Sequence, residues 1–179
     1  MKIGFCGTVS VGKTTLVKAL QQLDEFSNYE FRTERSKYLR DLGIPLNTDS
    51  TLKGQTIFLA ERVSELMREN IITDRTIIDI IAFAYSSKSM DIVDKEEFTQ
   101  YAIRFLSEYD WIFYVSPEGV DIEDNGVRET DTEYRDTIDE SIKHQISSYK
   151  HRIKNYGELK GSTEDRIAQI RSYLLQNAS

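Results

Sequence analysis

The opening fourteen residues constrain this chain more than any other stretch. Lys2-Ile3-Gly4-Phe5-Cys6 reads as a short, mostly apolar strand, and Gly7-Thr8-Val9-Ser10-Val11-Gly12-Lys13-Thr14 then fits G-x-x-x-x-G-K-(S/T) at every fixed position. Thr15 to Leu23 follows with Leu16, Val17, Leu20 and Leu23 at helical spacing, so the motif has its strand-loop-helix context. Glycine lets such a backbone turn where side chains would collide with phosphate, and successive amides at a helix N-terminus form a nest for an anion. The residues expected to cradle phosphate are Gly7, Thr8, Ser10, Val11, Gly12, Lys13, Thr14 and Thr15. Among them Lys13 brings a point charge for the β and γ phosphates, and Thr14 offers a hydroxyl to magnesium.

A chain of 179 residues is expected to be one domain, 1–179, large enough for a real core. With 23 basic and 30 acidic side chains its net charge is -7, which opposes a nucleic-acid backbone unless basic residues concentrate locally, and no dense Lys/Arg run occurs. Cys6 is the single cysteine, so no internal disulfide forms. A reducing, cytoplasmic location is the natural expectation, with no signal peptide ahead of the strand and no membrane-length apolar run. Cys6 itself is expected to be a buried structural thiol.

Along the chain the sequence predicts a strand over Asn28 to Thr33 and a helix from Arg35 to Leu42 that stops at Gly43. A further helix over Thr51 to Asn70 is expected to bury Leu52, Thr56, Leu59, Val63 and Leu66 and to carry Gln55 and Arg62 on its polar face. Ile71 to Thr73 reads as a third strand ending at Asp74-Arg75, followed by a buried helix over Ile77 to Tyr85. Asp94 with Glu97 suggests a capping box opening a helix that buries Phe98, Tyr101, Ala102, Phe105 and Leu106. Trp111 to Val115, apolar or aromatic throughout, suits a parallel strand covered on both faces. Ser116 to Asp131 reads as a long polar connection, expected to act as a lid. Then come a helix over Thr132 to Asn155, an edge strand at Glu158 to Lys160, and a last helix capped by Ser162 and Asp165. Strands alternating with helices imply a three-layer α/β/α fold with a parallel five-stranded sheet and a site at the carboxyl ends of its strands.

That topology brings together three places far apart in sequence: the phosphate loop, Glu34-Arg35 and Asp74-Arg75. Phosphoryl transfer needs a carboxylate to take a proton or hold magnesium and a guanidinium to hold charged oxygens. Surface ion pairs are the plain alternative, and their place at two strand ends beside the loop favours function. Glu34 is the candidate base, Asp74 with Thr14 the candidate metal-linked pair, and Arg35 and Arg75 the candidate acceptor contacts. Arg128 is a further candidate cation for the transferring phosphates, with Arg135 a weaker one. His144 and His151 share a helix face without an evident third ligand, so a solvated face is the simpler reading.

These features resemble the P-loop nucleoside and nucleotide kinases. Ile71 to Ala84 is similar to the strand-Asp-Arg-helix segment of thymidylate kinases and of the AAA-like ATPase/kinase family that includes ribosylnicotinamide kinase domains. Glu34 resembles the glutamate that ends the second strand of deoxynucleoside kinases and serves there as general base. Gln55 with Arg62 is similar to their base-reading helix, Arg128 to a lid arginine, and Gly161-Ser162-Thr163 falls where these folds often pass the adenine ring. The resemblance implies ATP and magnesium as cofactors and a small nucleoside or nucleotide as acceptor, with a homodimer left open. A kinase acting on modified bases or ends within DNA, a ribosylnicotinamide kinase and a catalytically silent ATP-binding module are the alternatives. The Asp-Pro-Gly segment of cellular thymidylate kinases and the multi-arginine lid of deoxynucleoside kinases do not occur.

Overall fold

Along the fourth strand Trp111, Phe113 and Val115 join the apolar cluster on one face of a sheet, while Ile112 and Tyr114 join the cluster on the other. This two-residue alternation with both sets buried is the signature of a strand sandwiched between helical layers. The structure, a computed structural model, describes residues 1–33, 35–118 and 132–176. Its strands are β1 (Lys2–Cys6), β2 (Glu30–Arg32), β3 (Ile71–Asp74), β4 (Trp111–Val115) and β5 (Tyr156–Leu159), all parallel in the order β2-β3-β1-β4-β5. The helices are α1 (Lys13–Leu20), α2 (Ser36–Asp41), α3 (Leu52–Glu65), α4 (Ile77–Ser86), α5 (Ile92–Ala102), α6 (Thr132–Ser148) and α7 (Thr163–Gln176). Leu16, Val17 and Leu20 of α1 and Ile170 of α7 pack with Ile3, Phe5, Trp111 and Phe113 on one face. Residues of α3 to α6, among them Leu59, Ile81, Phe98 and Ile142, cover the other. The expected three-layer α/β/α architecture with five parallel strands is therefore present.

β1 lies at the centre, between β3 and β4. From β1 the chain passes to β2 at one edge, returns to β3 beside β1, then crosses to build β4 and β5 outward on the other side. Such a reversal opens a crevice at the carboxyl ends of the central strands, and there the phosphate loop begins.

Several elements differ from the sequence expectation. β2 has only three residues, α3 ends at Glu65 instead of Asn70, and α6 stops at Ser148, with a 3-10 turn over Lys150–Arg152 in place of its last residues. The start of α5 is capped by Asp91, whose side chain accepts from the Asp94 amide at 2.9 Å, so the helix opens three residues before the expected box. Tyr101, expected inside, is exposed. The edge strand falls at Tyr156–Leu159 because its pairing starts with Tyr156 opposite Ile112. In α3 the expected stripe is buried at Leu59 and Leu66, with Val63 packed against them, but Leu52 and Thr56 are exposed, and Gln55 and Arg62, expected on the polar face, are 3% and 7% exposed. Arg62 tolerates burial because its guanidinium is bonded to Glu65 one turn on. Of the expected lid, residues 119–131 lie outside the described residues.

Candidate active site

Two glycines give the phosphate loop its shape. Gly7 has φ +153°, and a Cβ there would stand 2.7 Å from the Val115 carbonyl oxygen, so a side chain would push the loop off the end of β4. Gly12 caps α1 with φ +81°, a left-handed conformation that other residues adopt at a cost. Between them Ser10 is itself left-handed, at φ 59°. Lys13 is buried, and its ammonium donates to the carbonyls of Gly7 at 2.6 Å and Thr8 at 2.7 Å, arching over the loop it belongs to. The Thr8 hydroxyl donates to the Arg135 carbonyl at 2.8 Å, and the Val11 side chain is part of the core, so these two residues have only backbone to offer a phosphate. Thr15 is exposed on the first turn of α1.

In the parallel register Asp74 stands opposite Phe5, so the ends of β1 and β3 coincide. That brings the Thr14 hydroxyl, on the first turn of α1, onto a carboxylate oxygen of Asp74, which is itself buried. A hydroxyl and a carboxylate at one point are hard oxygen donors of the kind magnesium takes. The residues therefore fit the ion. Next along the chain, Arg75 has φ +80°, and its amide donates to the Phe5 carbonyl at 2.9 Å. This turn swings the guanidinium away from the strand and over the ring of Phe83, 4.6 Å from its centroid.

Arg75 lines a cleft together with Ser36, Asn47, Gln55, Phe58 and Phe83. Two aromatic rings, an amide and a guanidinium are suited to a flat heterocycle that carries polar edges or a phosphate. Gln55 and Arg75, expected as acceptor contacts, meet here. Arg35 does not line the cleft: it is paired with Glu61 at 3.2 Å and lies over the Tyr38 ring. Arg62 is directed to Glu65 and is also absent from the lining. Glu34 and Arg128 lie outside the described residues.

Two side chains at the loop escaped the sequence reading. Arg166 of α7 is buried, donating to the Val11 carbonyl at 2.7 Å and the Ser116 carbonyl at 3.2 Å, with a guanidinium nitrogen 3.1 Å from where a Cβ on Gly12 would sit. It fastens α7 to the loop, across 155 positions of sequence that no local pattern spans. Asp79 of α4 is fully buried and accepts from the Gly7 amide at 3.1 Å. Burial pushes its carboxyl above the usual range, against the opposing pull of Lys13, Arg75 and the Thr76 and Gly7 amides. Thr76 followed by Asp79 three residues on is a capping-box spacing and was open to reading. Arg135, the weaker phosphate candidate, donates to the Pro117 carbonyl at 3.1 Å and so braces the end of β4. The two histidines are not assembled into a metal centre: among the described residues no group of three or more His, Cys, Asp or Glu could hold an ion. No helix of the described residues is long and apolar enough to cross a membrane.

The model of the AAA domain family AAA_28 matches residues 2–166. No curated protein matches the chain at a significant level. Among solved structures it is similar to deoxyadenosine kinase from M. mycoides with bound dATP, with a TM-score of 0.62, 20% identity and all of both chains covered. The NadR protein in complex with NR gives 0.76 at 18% identity over 96% of this chain and 50% of that one. Thymidylate kinase from Ehrlichia chaffeensis gives 0.59 at 17% identity over 100% and 98%. The chain thus belongs to the AAA domain family AAA_28, and its fold is that of the P-loop nucleoside and nucleotide kinases.

Proposed function

We propose that the protein transfers the γ-phosphoryl group of ATP, with magnesium, to a small nucleoside or nucleotide. The observation that carries this reading is the adjacency of Asp74, bonded to Thr14 of the phosphate loop, and Arg75, in the lining of the cleft with Gln55, Phe58 and Phe83. One turn of backbone thus joins the phosphate loop to the cleft, which supports direct transfer between a donor and an acceptor held there. A module that only bound ATP would have no use for the second half of that arrangement.

In this reading the loop amides and Lys13 hold the β and γ phosphates. Thr14 and Asp74 would hold magnesium, which would supply charge neutralisation to the phosphate oxygens. Gln55 reads a polar edge of the acceptor base between Phe58 and Phe83, and Arg75 holds an acceptor phosphate or the migrating group. The acceptor oxygen attacks the γ phosphorus as the bond to ADP breaks, and its proton passes to a carboxylate, for which Glu34 is the sequence's candidate. The net charge of -7 disfavours a DNA polymer as acceptor.

The test is ADP release by purified protein supplied with ATP and magnesium against a panel of nucleosides, nucleotides, ribosylnicotinamide and DNA. Turnover dependent on a mononucleoside or mononucleotide is expected. Turnover with DNA alone, or none with any acceptor despite ATP binding, contradicts the proposal.

A further inference from the structure

We propose that Asp79 is a positioning residue for phosphate binding, holding the first amide of the phosphate loop from the start of α4. The inference deepens the nucleotide-binding reading above and rests on it. Asp79 occupies the third position of α4, where one carboxylate oxygen completes a capping box by accepting from the Thr76 amide at 2.6 Å and the Thr76 hydroxyl at 3.0 Å. A capping box asks no more of the side chain than this. The second oxygen is turned out of the helix and accepts from the Gly7 amide, 72 positions earlier. All of these partners are donors, which is the environment of an ionised carboxylate.

The consequence runs through one residue, Gly7, and the two peptides that meet at it. Gly7 is confined on its other side, where a Cβ would stand 2.7 Å from the Val115 carbonyl oxygen. Its nitrogen is held by Asp79, and its carbonyl accepts from the Lys13 ammonium at 2.6 Å. Asp79 therefore fixes the peptide from which the loop departs, next to the peptide whose carbonyl Lys13 holds. Thr14 bonded to Asp74 is a second tie between the loop and the β3-α4 turn. With both in place the loop and the turn move as one body.

Charge and geometry make opposite predictions here. Asp79 lies within the fields of Lys13 and Arg75, so if its charge were what mattered, neutralising it would strengthen the site's attraction for phosphate. If its acceptor geometry matters, Asp79→Asn must weaken binding, because the carboxamide turns an NH2 group on either the Gly7 or the Thr76 amide whichever way it is placed. Geometry should dominate. The donor-donor encounter is direct and buried, while the cations lose only one of several influences.

The experiment is calorimetric titration of magnesium-ATP into wild type, Asp79→Asn and Thr76→Val, with melting temperatures measured alongside. Thr76→Val loses the capping hydroxyl but keeps the Asp79 bond to Gly7, so it reports the stability effect of a weakened α4 start alone. Asp79→Asn is expected to raise the dissociation constant by about tenfold, whereas Thr76→Val stays within about twofold at a similar loss of melting temperature. Unchanged or tighter binding by Asp79→Asn, or equal weakening by Thr76→Val, overturns the proposal. Should Asp79→Asn not fold, the wild-type protein decides: a through-hydrogen-bond coupling between the Gly7 amide nitrogen and the Asp79 carboxyl carbon is expected with and without ADP, and its absence in either overturns it. Wild type that binds no ATP sinks the nucleotide-binding reading itself, an outcome distinct from intact wild-type binding that Asp79→Asn leaves unaltered.

Discussion

The Thr14 hydroxyl is bonded to the Asp74 carboxylate across 60 positions of sequence. This contact exists because β1 and β3 pair in parallel with Phe5 opposite Asp74, so the phosphate loop and the β3-α4 turn leave the sheet at the same level. If the pair holds magnesium, Asp74→Asn weakens one ligand without emptying the site. The maximal rate should fall by roughly 10²-fold and recover in part as magnesium is raised. Glu34→Gln should lower the rate by a similar order with no magnesium rescue. Steady-state rates across a magnesium titration check both, and rescue of Glu34→Gln alone would reverse the two roles.

Lys13→Ala removes the ammonium that bridges the Gly7 and Thr8 carbonyls. Turnover should drop by about 10²–10³-fold or more, since a preorganised charge facing the transferring phosphates contributes most in the transition state. Circular dichroism should be that of the wild type. Near-native activity in a folded Lys13→Ala would remove the loop from the chemistry.

Gln55 is 3% exposed yet lines the cleft with Phe58 and Phe83, and the kinase reading assigns its amide to an acceptor edge. Gln55→Leu should raise the acceptor KM by about tenfold, the equivalent of roughly 1.4 kcal/mol for a lost hydrogen bond, and leave the KM for ATP unchanged. A change in the ATP constant instead would place Gln55 on the donor side.

The parts of the fold set by local pattern were legible. β1, β4 and the loop follow from an apolar run, a second apolar run and fixed glycines, and the structure has each where the sequence predicts it. The apolar stripe of α3 was legible at Leu59 and Leu66, but the burial of Gln55 and Arg62 was not, because it depends on Glu65 and on the cleft, which only tertiary placement supplies. The cap of α5 fell on Asp91 in preference to Asp94 because both are acidic and only geometry separates them. At the site, Asp74 and Arg75 were readable as a strand-end pair. The second oxygen of Asp79 and the reach of Arg166 were not, since each joins segments that sequence distance keeps apart.

Arg166 gives a stability prediction. Its guanidinium supplies donors to the Val11 and Ser116 carbonyls, and Arg166→Met would leave both buried acceptors without it. A loss of about 1–3 kcal/mol in denaturant unfolding is expected. Arg166→Lys should recover only part of it, because a single ammonium does not reproduce the two-pronged fork. Equal stability of all three proteins would show the fastening to be inert.

Cys6 is fully buried, and burial, reinforced by the Asp79 charge, pushes its thiol well above the ordinary range. It should resist a thiol reagent at pH 8 in the native protein and react fully once unfolded, because only the exposed thiolate is nucleophilic. Rapid native reaction would mean that the end of β1 opens far more readily than its packing implies.

The most direct measurement follows the γ phosphorus itself. Protein is mixed with γ-labelled ATP, magnesium and the best acceptor of the panel, and the labelled products are separated. The kinase reading predicts label on the nucleoside or nucleotide in proportion to ADP formed, abolished by Lys13→Ala and by chelation of magnesium. Label recovered only as inorganic phosphate, or retained on ATP while ATP binds normally, contradicts it.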